Sequence, residues 1–302
     1  MATNEPYIAF APLQGYTDHV YRASHHLIAG GVDEYYTPFV RLESGAPRKK
    51  DLRDTAPENN IGTPSVPQVI ARNREEFASL CDSLQDQGWK RIDLNMGCPF
   101  PMQVRAGRGS GLIKNVDAFK EIASEIAMRN EVEFSIKMRL GQENEDEYSH
   151  LLSILNNTPL VHITMHPRLG KDQYKSQPNM TAFEQFCKVC DHPIVYNGDI
   201  TGPDCIEQLK QRHPELKGFM IGRGLLSKPW MFCEKEPLEV VLSLHKSIYE
   251  HAVANLCGDS QILSQLHAFW EYLDSAIDKK TYKAIVKSGN LRNYREAVSK
   301  LA

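Results

Sequence analysis

Short apolar runs alternate with amphipathic segments along residues 1–237. Four of the amphipathic segments have the spacing typical of helices, at residues 74–87, 116–129, 147–156 and 203–212. The apolar runs predict eight strands, at residues 7–11, 35–40, 66–71, 91–95, 133–138, 161–165, 193–196 and 218–221. Eight strands that alternate with helices are typical of a (β/α)8 barrel, whereas a doubly wound open sheet usually has fewer strands.

The pattern changes near residue 237. From residue 238 onward we find only helical periodicity and no strand-like run. The sequence therefore predicts an α/β fold, in which residues 1–237 form a (β/α)8 TIM barrel and residues 238–302 form a small all-helical domain.

Composition and charge narrow the class of protein. The chain has 302 residues and a formal net charge of −3, and no apolar run reaches the ~18 residues that a membrane span needs. The N-terminus has no basic region ahead of an apolar one, so we expect no secretion signal. Seven cysteines, an odd number, argue against a disulfide framework and for a reducing compartment. We therefore expect a cytoplasmic protein without a membrane anchor, and we expect a monomer.

Cys187 and Cys190 form a lone CxxC pair inside a helix-like segment. A structural zinc site needs a second pair of ligands, and none follows at a suitable spacing. We therefore predict no metal site.

Polar side chains and glycines follow every predicted strand. In a barrel, functional side chains lie at these C-terminal strand ends. In chain order the positions are Pro12, Leu13 and Gln14; Arg41; Gln68; Asn95 and Cys98; Lys137 and Arg139; His166 and Arg168; Asn197, Gly198 and Asp199; and Gly222 and Arg223. Any one of these residues could be a core polar group whose hydrogen bonds are satisfied. Polar groups at the ends of all eight predicted strands, however, predict a functional site.

Residues 91–114 contain the strongest candidate for chemistry. Gly97 and Pro99 end the predicted strand abruptly and leave Asn95 and Cys98 together at its C-terminal tip. A glycine-rich run, residues 107–111, follows. A thiol beside an amide in this setting predicts a reaction centre. The alternative is that Cys98 is a small buried residue without a chemical role.

The last two strand ends indicate a phosphate site. Barrels commonly bind phosphate through backbone amides after strands 7 and 8. Here glycines allow a close approach, and Arg223 supplies a guanidinium. Lys137 could neutralise charge on an electron-rich ring, and Gln68 could hydrogen-bond a planar, uracil-like edge. Together these groups predict FMN, since the sequence has neither a Rossmann fingerprint nor a P-loop.

These residues resemble the tRNA-dihydrouridine synthases over nearly the whole chain. The most specific part is the Asn-x-Gly-Cys-Pro core, followed by Lys-x-Arg and His. The matching segments are Ala11-Pro12-Leu13-Gln14-Gly15, the strand with Gln68, Asn95-Met96-Gly97-Cys98-Pro99, Lys137-Met138-Arg139, His166, Asn197-Gly198-Asp199 and Ile221-Gly222-Arg223-Gly224. Phe39-Val40-Arg41 further resembles the branch that acts on position 16 of tRNA.

The resemblance implies a flavin barrel with a C-terminal helical, tRNA-binding domain that reduces the C5–C6 double bond of uridine in tRNA, with NADPH as reductant. Reduced FMN would deliver hydride to C6, and Cys98, as a neutral thiol, would protonate C5. Asn95 and Arg139 would hold the uracil, and Arg41 would contact the RNA. FMN would be bound by Pro12, Leu13, Gln14, Gln68, Lys137, His166, Asn197, Gly198, Asp199, Gly222 and Arg223.

The chain departs from the family pattern in two places. His166-Pro167-Arg168-Leu169 stands where the family usually has His-Gly-Arg-Thr, so the expected loop after strand 6 lacks a glycine and a hydroxyl. The glycine-rich run has Arg108 and Gly111 where small residues and alanine are commoner. Both changes concern the flavin contact and the choice of RNA site, and neither affects the chemistry of Cys98.

Basic side chains are concentrated near the C-terminus. Residues 279–302 include seven basic residues and one acidic residue. Lys279, Lys283 and Lys287 are spaced to share one helix face. On an otherwise acidic protein this stripe predicts contact with the phosphate backbone of tRNA. The alternative is an ordinary solvated surface helix.

Two other functions stay open at this point. One is a flavin barrel that acts on a free pyrimidine, similar to dihydroorotate or dihydropyrimidine dehydrogenases; the basic C-terminal segment argues against it. The other is an RNA-binding barrel without catalytic activity, which the intact set of Asn95, Cys98, Lys137 and Arg139 argues against.

Overall fold

The computed structural model describes residues 5–301 and contains eleven strands and thirteen α-helices in that range. The strands are β1 Tyr7–Phe10, β2 Glu34–Tyr36, β3 Leu42–Glu43, β4 Ala46–Pro47, β5 Ser65–Val66, β6 Gln68–Val69, β7 Arg91–Met96, β8 Glu133–Gly141, β9 His162–Leu169, β10 Ile194–Tyr196 and β11 Gly218–Ile221. The helices are α1 His19–Ile28, α2 Lys49–Asp54, α3 Arg74–Asp86, α4 Pro101–Arg105, α5 Val116–Met128, α6 Leu152–Asn157, α7 Met180–Val189, α8 Pro203–Arg212, α9 Arg223–Ser227, α10 Pro237–Asn255, α11 Asp259–Trp270, α12 Lys279–Val286 and α13 Leu291–Val298.

Nine strands form one parallel sheet in the order β5-β2-β1-β11-β10-β9-β8-β7-β6. β5 and β6 are two halves of a single strand, because Pro67 between them has no backbone N–H to donate to the ladder. A parallel bridge between Val40, which follows β2, and Val69 of β6 closes the barrel. The predicted eight-position barrel is therefore confirmed, with its third strand broken at a proline.

The barrel has an inner and an outer core, which follow from the alternation of side chains along each strand. In β1 the small side chain of Ala9 faces the interior with Tyr36 and Met220. Its neighbours Ile8 and Phe10 belong to the larger cluster between the sheet and the helices. Polar side chains that face the interior therefore form layers along the barrel axis, and the upper layer lies at the C-terminal strand ends.

Several predicted bounds were wrong. The strand predicted at residues 35–40 ends at Tyr36, and that predicted at 66–71 is the broken pair β5 and β6. The helix predicted at residues 147–156 is a 3-10 turn, Glu147–His150, followed by α6. The Glu147 carboxylate accepts hydrogen bonds from the backbone N–H groups of Gln142, Glu143 and Asn144, so this segment is tied to the preceding loop.

The predicted helical C-terminal segment is confirmed as α10 to α13, and it packs on the barrel. Pro237 occupies the first turn of α10, where its missing N–H costs nothing. Ser247 on α10 hydrogen-bonds Ser24 on α1 at 2.8 Å, and Gln265 on α11 donates to Asp18 at 3.1 Å. None of the helices in residues 5–301 is both long enough and apolar enough to cross a membrane.

Candidate active site

The Cys98 loop is fixed by side chains from three directions. At the end of β7, the Asn95 Oδ1 accepts the N–H groups of Gly97 at 3.0 Å and Cys98 at 2.8 Å. Arg139 Nε donates to the Gly97 carbonyl at 2.9 Å. The backbone N–H and the hydroxyl of Ser110 both donate to the Cys98 carbonyl, at 3.1 and 3.0 Å. The thiol of Cys98 is thus held on a backbone whose donors and acceptors are satisfied.

The glycine-rich run packs directly against this loop. Gly109 has φ +59°, and a Cβ atom there would lie 2.6 Å from the Cys98 carbonyl oxygen. A Cβ at Gly111 would lie 2.6 Å from the Val104 carbonyl oxygen. Only glycine allows this approach, so these two glycines shape the Cys98 loop and the helical turn that follows it.

The Cys98 thiol is half-buried, and burial raises its pKa above the usual value, although Lys137 and Arg139 oppose the shift. A raised pKa keeps the sulfur protonated at neutral pH. The group is therefore suited to donate a proton, and a nucleophilic thiolate is disfavoured.

A buried hydrogen-bond relay runs beneath the loop from Asp93. Its carboxylate accepts the Ser135 hydroxyl and the Gln68 Nε2, both at 2.6 Å. Gln68 Oε1 in turn accepts Asn95 Nδ2 at 2.7 Å. Gln68 has no exposed surface and Asn95 is only 7% exposed. The two residues that the sequence predicted as cofactor and uracil ligands are therefore bonded to each other below the reaction centre.

Cations crowd the upper layer of the barrel. Burial, and then Arg139, lowers the pKa of Lys137 to about 8. Burial lowers the pKa of Arg139 to about 10. Burial and the nearby cations hold the pKa of His166 well below its usual value, so this imidazole is neutral. A buried positive cluster of this kind favours an anionic or electron-rich ligand.

A cavity of about 340 Å³ opens at the C-terminal ends of the strands. It is lined by nine of the eleven predicted cofactor residues, namely Pro12, Leu13, Lys137, His166, Asn197, Gly198, Asp199, Gly222 and Arg223. Of the other two, Gln68 lies buried in the relay and Gln14 is exposed to solvent. Nine of the nineteen residues that line the cavity were thus predicted as cofactor ligands from the sequence.

Two guanidinium groups, those of Arg168 and Arg223, lie at one end of the cavity. Only Arg223 was predicted from the sequence as a cofactor ligand. The Asp199 carboxylate, on a residue with φ +43°, accepts from Arg168 and from Arg223, the latter at 2.9 Å. Arg168 also lies 3.0 Å from His166 Nε2. The Arg223 guanidinium lies 4.3 Å from the centre of the Tyr174 ring, a cation–π contact. Two cations held by one carboxylate can receive a further anion.

The family departure at residues 166–169 does not lie in a loop. β9 continues through Leu169, which pairs with Gly141 of β8 after a register shift. Arg168 is almost fully buried within this extension, and its Nε donates to the Ser176 carbonyl at 2.7 Å. The predicted loop was wrong because the segment keeps its strand pairing.

The helical C-terminal segment reaches the cavity through Tyr272. This ring lines the cavity and contacts Tyr16 edge-on, with the ring centres 5.2 Å apart. A few residues further on, Asp278 caps α12 by accepting the N–H groups of Lys280 and Thr281 at 3.0 Å.

The predicted RNA contacts lie outside the cavity wall. The lysine stripe of α12 is exposed, at Lys279, Lys283 and the capping residue Lys287. Arg41 is half-buried and lies 3.7 Å from Glu43.

Asp93, Ser110, Tyr174 and Tyr272 are site residues that sequence reasoning missed. Of these four, only Asp93 could have been found from the sequence. It lies two residues before Asn95 in the same strand, so the two side chains must face the same side of the sheet. The contacts of the other three depend on how distant segments meet.

A family model described as Dihydrouridine synthase matches residues 9–301. The chain belongs to the dihydrouridine synthase family. A probable tRNA-dihydrouridine synthase of Staphylococcus epidermidis is 29% identical over 261 residues, which are 81% of this chain and 78% of that protein. The probable tRNA-dihydrouridine synthase 2 of Bacillus subtilis is 29% identical over 243 residues, 78% of this chain and 73% of that protein.

Among solved structures, a morphinone reductase mutant in complex with tetrahydroNAD aligns with a TM-score of 0.53 at 9% identity, over 74% of this chain and 85% of that one. At this identity the likeness shows the barrel fold alone. As a dihydrouridine synthase, the protein is a flavin-dependent oxidoreductase.

Proposed function

We propose that this dihydrouridine synthase reduces the C5–C6 double bond of a uridine within tRNA, with FMN as its flavin and NADPH as the source of electrons. The observation that carries the proposal is the Cys98 thiol, fixed by hydrogen bonds of its loop at the end of β7 near Lys137 and Arg139, of which Lys137 lines the cavity in the mouth of the barrel. The names of the two relatives, both probable tRNA-dihydrouridine synthases, support tRNA as the substrate.

The cavity wall fits a flavin mononucleotide. Within residues 5–301, Lys137 Nζ has no hydrogen-bond or ion-pair partner, and its positive charge suits an electron-rich ring. At the other end, Arg223 and the backbone of Gly222 suit a phosphate, with Asp199 orienting the guanidinium. His166 is neutral, and because its Nε2 accepts from Arg168, its Nδ1–H is left to donate one hydrogen bond.

FMN, held by Lys137, Gly222 and Arg223, would in its reduced form supply hydride chemistry for C6 of the uracil. Cys98 gives its proton to C5, and the cations of Lys137 and Arg139 lower the free energy of the thiolate that remains. Arg139 and Asn95 hold the uracil. Among the described residues Arg139 Nη2 has no hydrogen-bond partner, so it can bind a uracil oxygen while Nε and Nη1 hold the Cys98 loop and its surroundings.

The RNA approaches along the helical C-terminal segment. The stripe of Lys279, Lys283 and Lys287 binds phosphates, and Arg41 contacts the RNA near the barrel mouth. The target base has to leave its stack to reach the cavity. Tyr272 connects this segment to the cavity wall. All seven cysteines are free thiols, which is consistent with a cytoplasmic enzyme.

The test uses the purified full chain with FMN and NADPH, and compares an unmodified tRNA transcript with free uracil, uridine and dihydroorotate. We expect NADPH oxidation coupled to dihydrouridine in the tRNA, detected by nucleoside mass spectrometry, and no turnover of the free pyrimidines. Turnover of a free pyrimidine with none on tRNA would support a free-pyrimidine dehydrogenase instead. A flavin-loaded protein that turns over nothing would support a non-catalytic RNA-binding barrel.

A further inference from the structure

Asp93 is a carboxylate that is fully buried inside the barrel and does not belong to the wall of the cavity described above. Burial raises its pKa to about 7, against the opposing effects of Ser135, Gln68, Lys137 and Arg91. A leucine would fill such a position without the cost of burying a charge. The carboxylate therefore needs an explanation other than packing.

The explanation lies in the direction of the hydrogen bonds. Above its pKa of about 7 the Asp93 carboxylate is ionised and only accepts, so the Gln68 amide presents its NH2 group to Asp93. Gln68 then has only its oxygen to offer to Asn95, which must present its own NH2 group. The Asn95 oxygen is consequently left for the N–H groups of Gly97 and Cys98. The two backbone N–H groups require the same orientation of Asn95, so both ends of the relay favour one direction for the Gln68 amide between them.

We propose that Asp93 is a positioning residue for the reaction, which fixes the orientation of the Gln68 and Asn95 amides and so holds the Cys98 loop in its reactive position. This inference rests on the proposed role of Cys98 as the proton donor. Asp93 itself touches neither the cavity nor the thiol and acts through Gln68 and Asn95.

Ser135 also hydrogen-bonds Asp93, but it is not the residue that sets the direction of the relay. Ser135 can donate or accept, because its hydroxyl rotates, so it cannot impose a direction on the relay. Its hydrogen bond goes to the other carboxylate oxygen of Asp93 than the one that accepts from Gln68. Removal of the Ser135 hydroxyl therefore leaves the orientation of both amides unchanged.

The experiment measures how fast iodoacetamide alkylates Cys98 in the full chain, by peptide mass spectrometry, with and without bound flavin. The exposed Cys257 in the same molecule is the internal reference. In Asp93→Leu we expect Cys98 to react about five- to tenfold faster, because unmaking a buried hydrogen bond releases the loop by about that factor. Asp93→Asn keeps the side-chain size but allows both amide orientations, so we expect about a twofold to threefold increase.

Epistasis separates positioning from a general structural effect. Gln68→Met breaks the relay at its next link, so we expect it to accelerate alkylation as Asp93→Leu does. In the Gln68→Met background, Asp93→Asn should not change the alkylation rate further, because hydrogen bonds no longer connect Asp93 to Asn95 and the Cys98 loop. Ser135→Ala removes a hydrogen bond that lowers the pKa of Asp93, so it is the matched control at a pH well above 7, where Asp93 stays ionised and the rate should not change.

Two results would overturn the proposal: an alkylation rate that Asp93→Asn and Asp93→Leu leave unchanged, or effects of Asp93→Asn and Gln68→Met that multiply independently. If Asp93→Leu does not fold, the double-mutant cycle of Asp93→Asn and Gln68→Met still tests the proposal. The readout does not depend on catalysis. Full activity of Cys98→Ala would therefore refute the role of Cys98 while the relay itself remained measurable.

Discussion

At the scale of single residues, Cys98 combines a protonated sulfur with a fixed position. Asn95, Arg139 and Ser110 satisfy the backbone on both sides of it. Burial raises its pKa, while Lys137 and Arg139 lie close enough to lower it. A thiol that is protonated at rest and has cations nearby when it loses its proton is a suitable general acid.

We predict that Cys98→Ala lowers the rate of uridine reduction in a single turnover by about 10²–10⁴-fold, the usual contribution of a general acid. Flavin content and the rate of flavin reduction by NADPH should not change, because the thiol takes no part in either. Stopped-flow absorbance of the flavin measures both half-reactions. Cys205→Ala, at a half-buried cysteine on α8, is the control. A variant within about threefold of the intact chain would exclude this role.

Flavin affinity should depend on the charge of Lys137. Its pKa of about 8 in the free protein means that the cation is lost as the pH rises through this value. An electron-rich ring binds the protonated form better, so the dissociation constant of FMN should be flat below about pH 7.5 and rise above about pH 8, by at most about tenfold per unit. Quenching of flavin fluorescence measures it.

Lys137→Met keeps most of the side-chain volume and cannot titrate. We expect weaker binding in this variant, with no rise in the dissociation constant between about pH 7.5 and 9. Parallel pH curves for the two proteins would show that another group causes the effect.

Sequence reasoning identified the residues of the Cys98 loop because motif and chemistry lie close together in the chain. Asp93 was within the same strand but was passed over, since its importance depends on a relay to Gln68 from another strand. Tyr174 and Tyr272 could not be predicted, because their places at the cavity depend on the packing of a loop and of the helical segment. The contacts of Gln68 and Asn95 with each other required the register of the barrel.

At the scale of elements, the glycine-rich run, residues 107–111, packs against the Cys98 loop and supports it. Gly109→Ala would place a Cβ atom 2.6 Å from the Cys98 carbonyl, at a positive φ. We expect a loss of stability of about 1–3 kcal/mol and at least about a tenfold fall in uridine reduction. Thermal unfolding and single-turnover kinetics measure the two effects.

Gly202→Ala is the matched control for this substitution. A Cβ there meets nothing within 4 Å and the backbone is extended, so both quantities should stay near those of the intact chain. If Gly109→Ala were as active as Gly202→Ala, the run would not support the Cys98 loop.

The helix α12 is the element that should bind RNA. We predict that replacing Lys279, Lys283 and Lys287 with alanine weakens tRNA binding and flattens its salt dependence, with the slope reduced by about 0.9 for each phosphate that the variant no longer neutralises. Flavin content should not change. Filter binding across a range of salt concentrations measures the slope.

A charge-matched control replaces Lys90, Lys120 and Lys188, which are exposed on the barrel and not on the helical C-terminal segment. Its salt slope should equal that of the intact chain. Equal slopes in both triple variants would show that α12 is an ordinary solvated helix.

Element boundaries were predicted well where the pattern was regular and poorly where one residue overrode it. β11 and α8 have the predicted bounds. Pro67 broke the third strand, and the Glu147 carboxylate tied a predicted helix to the preceding loop. β9 ran beyond its predicted end because pairing with β8 continued. A missing backbone N–H, a side-chain contact and a strand pairing decided these three cases, and the hydrophobic pattern reports none of them.

At the scale of the whole molecule, the barrel brings the ends of eight strand positions together and the helical segment adds one wall. The cavity is the proposed flavin site, its wall includes Lys137, which interacts electrostatically with Cys98, and Tyr272 adds a residue of the helical segment to that wall. The family match over residues 9–301 covers all of these parts. The number of strands and the change to helical periodicity were enough to predict this architecture.

The central claim is that the protein makes dihydrouridine in tRNA with Cys98 as proton donor. Its most direct test is nucleoside analysis of bulk tRNA from cells that lack the gene, complemented with the intact chain or with Cys98→Ala. We predict that dihydrouridine is missing from a tRNA position and is restored only by the intact chain. Restoration by Cys98→Ala, or dihydrouridine that is unchanged at every tRNA position in the deletion, would contradict it.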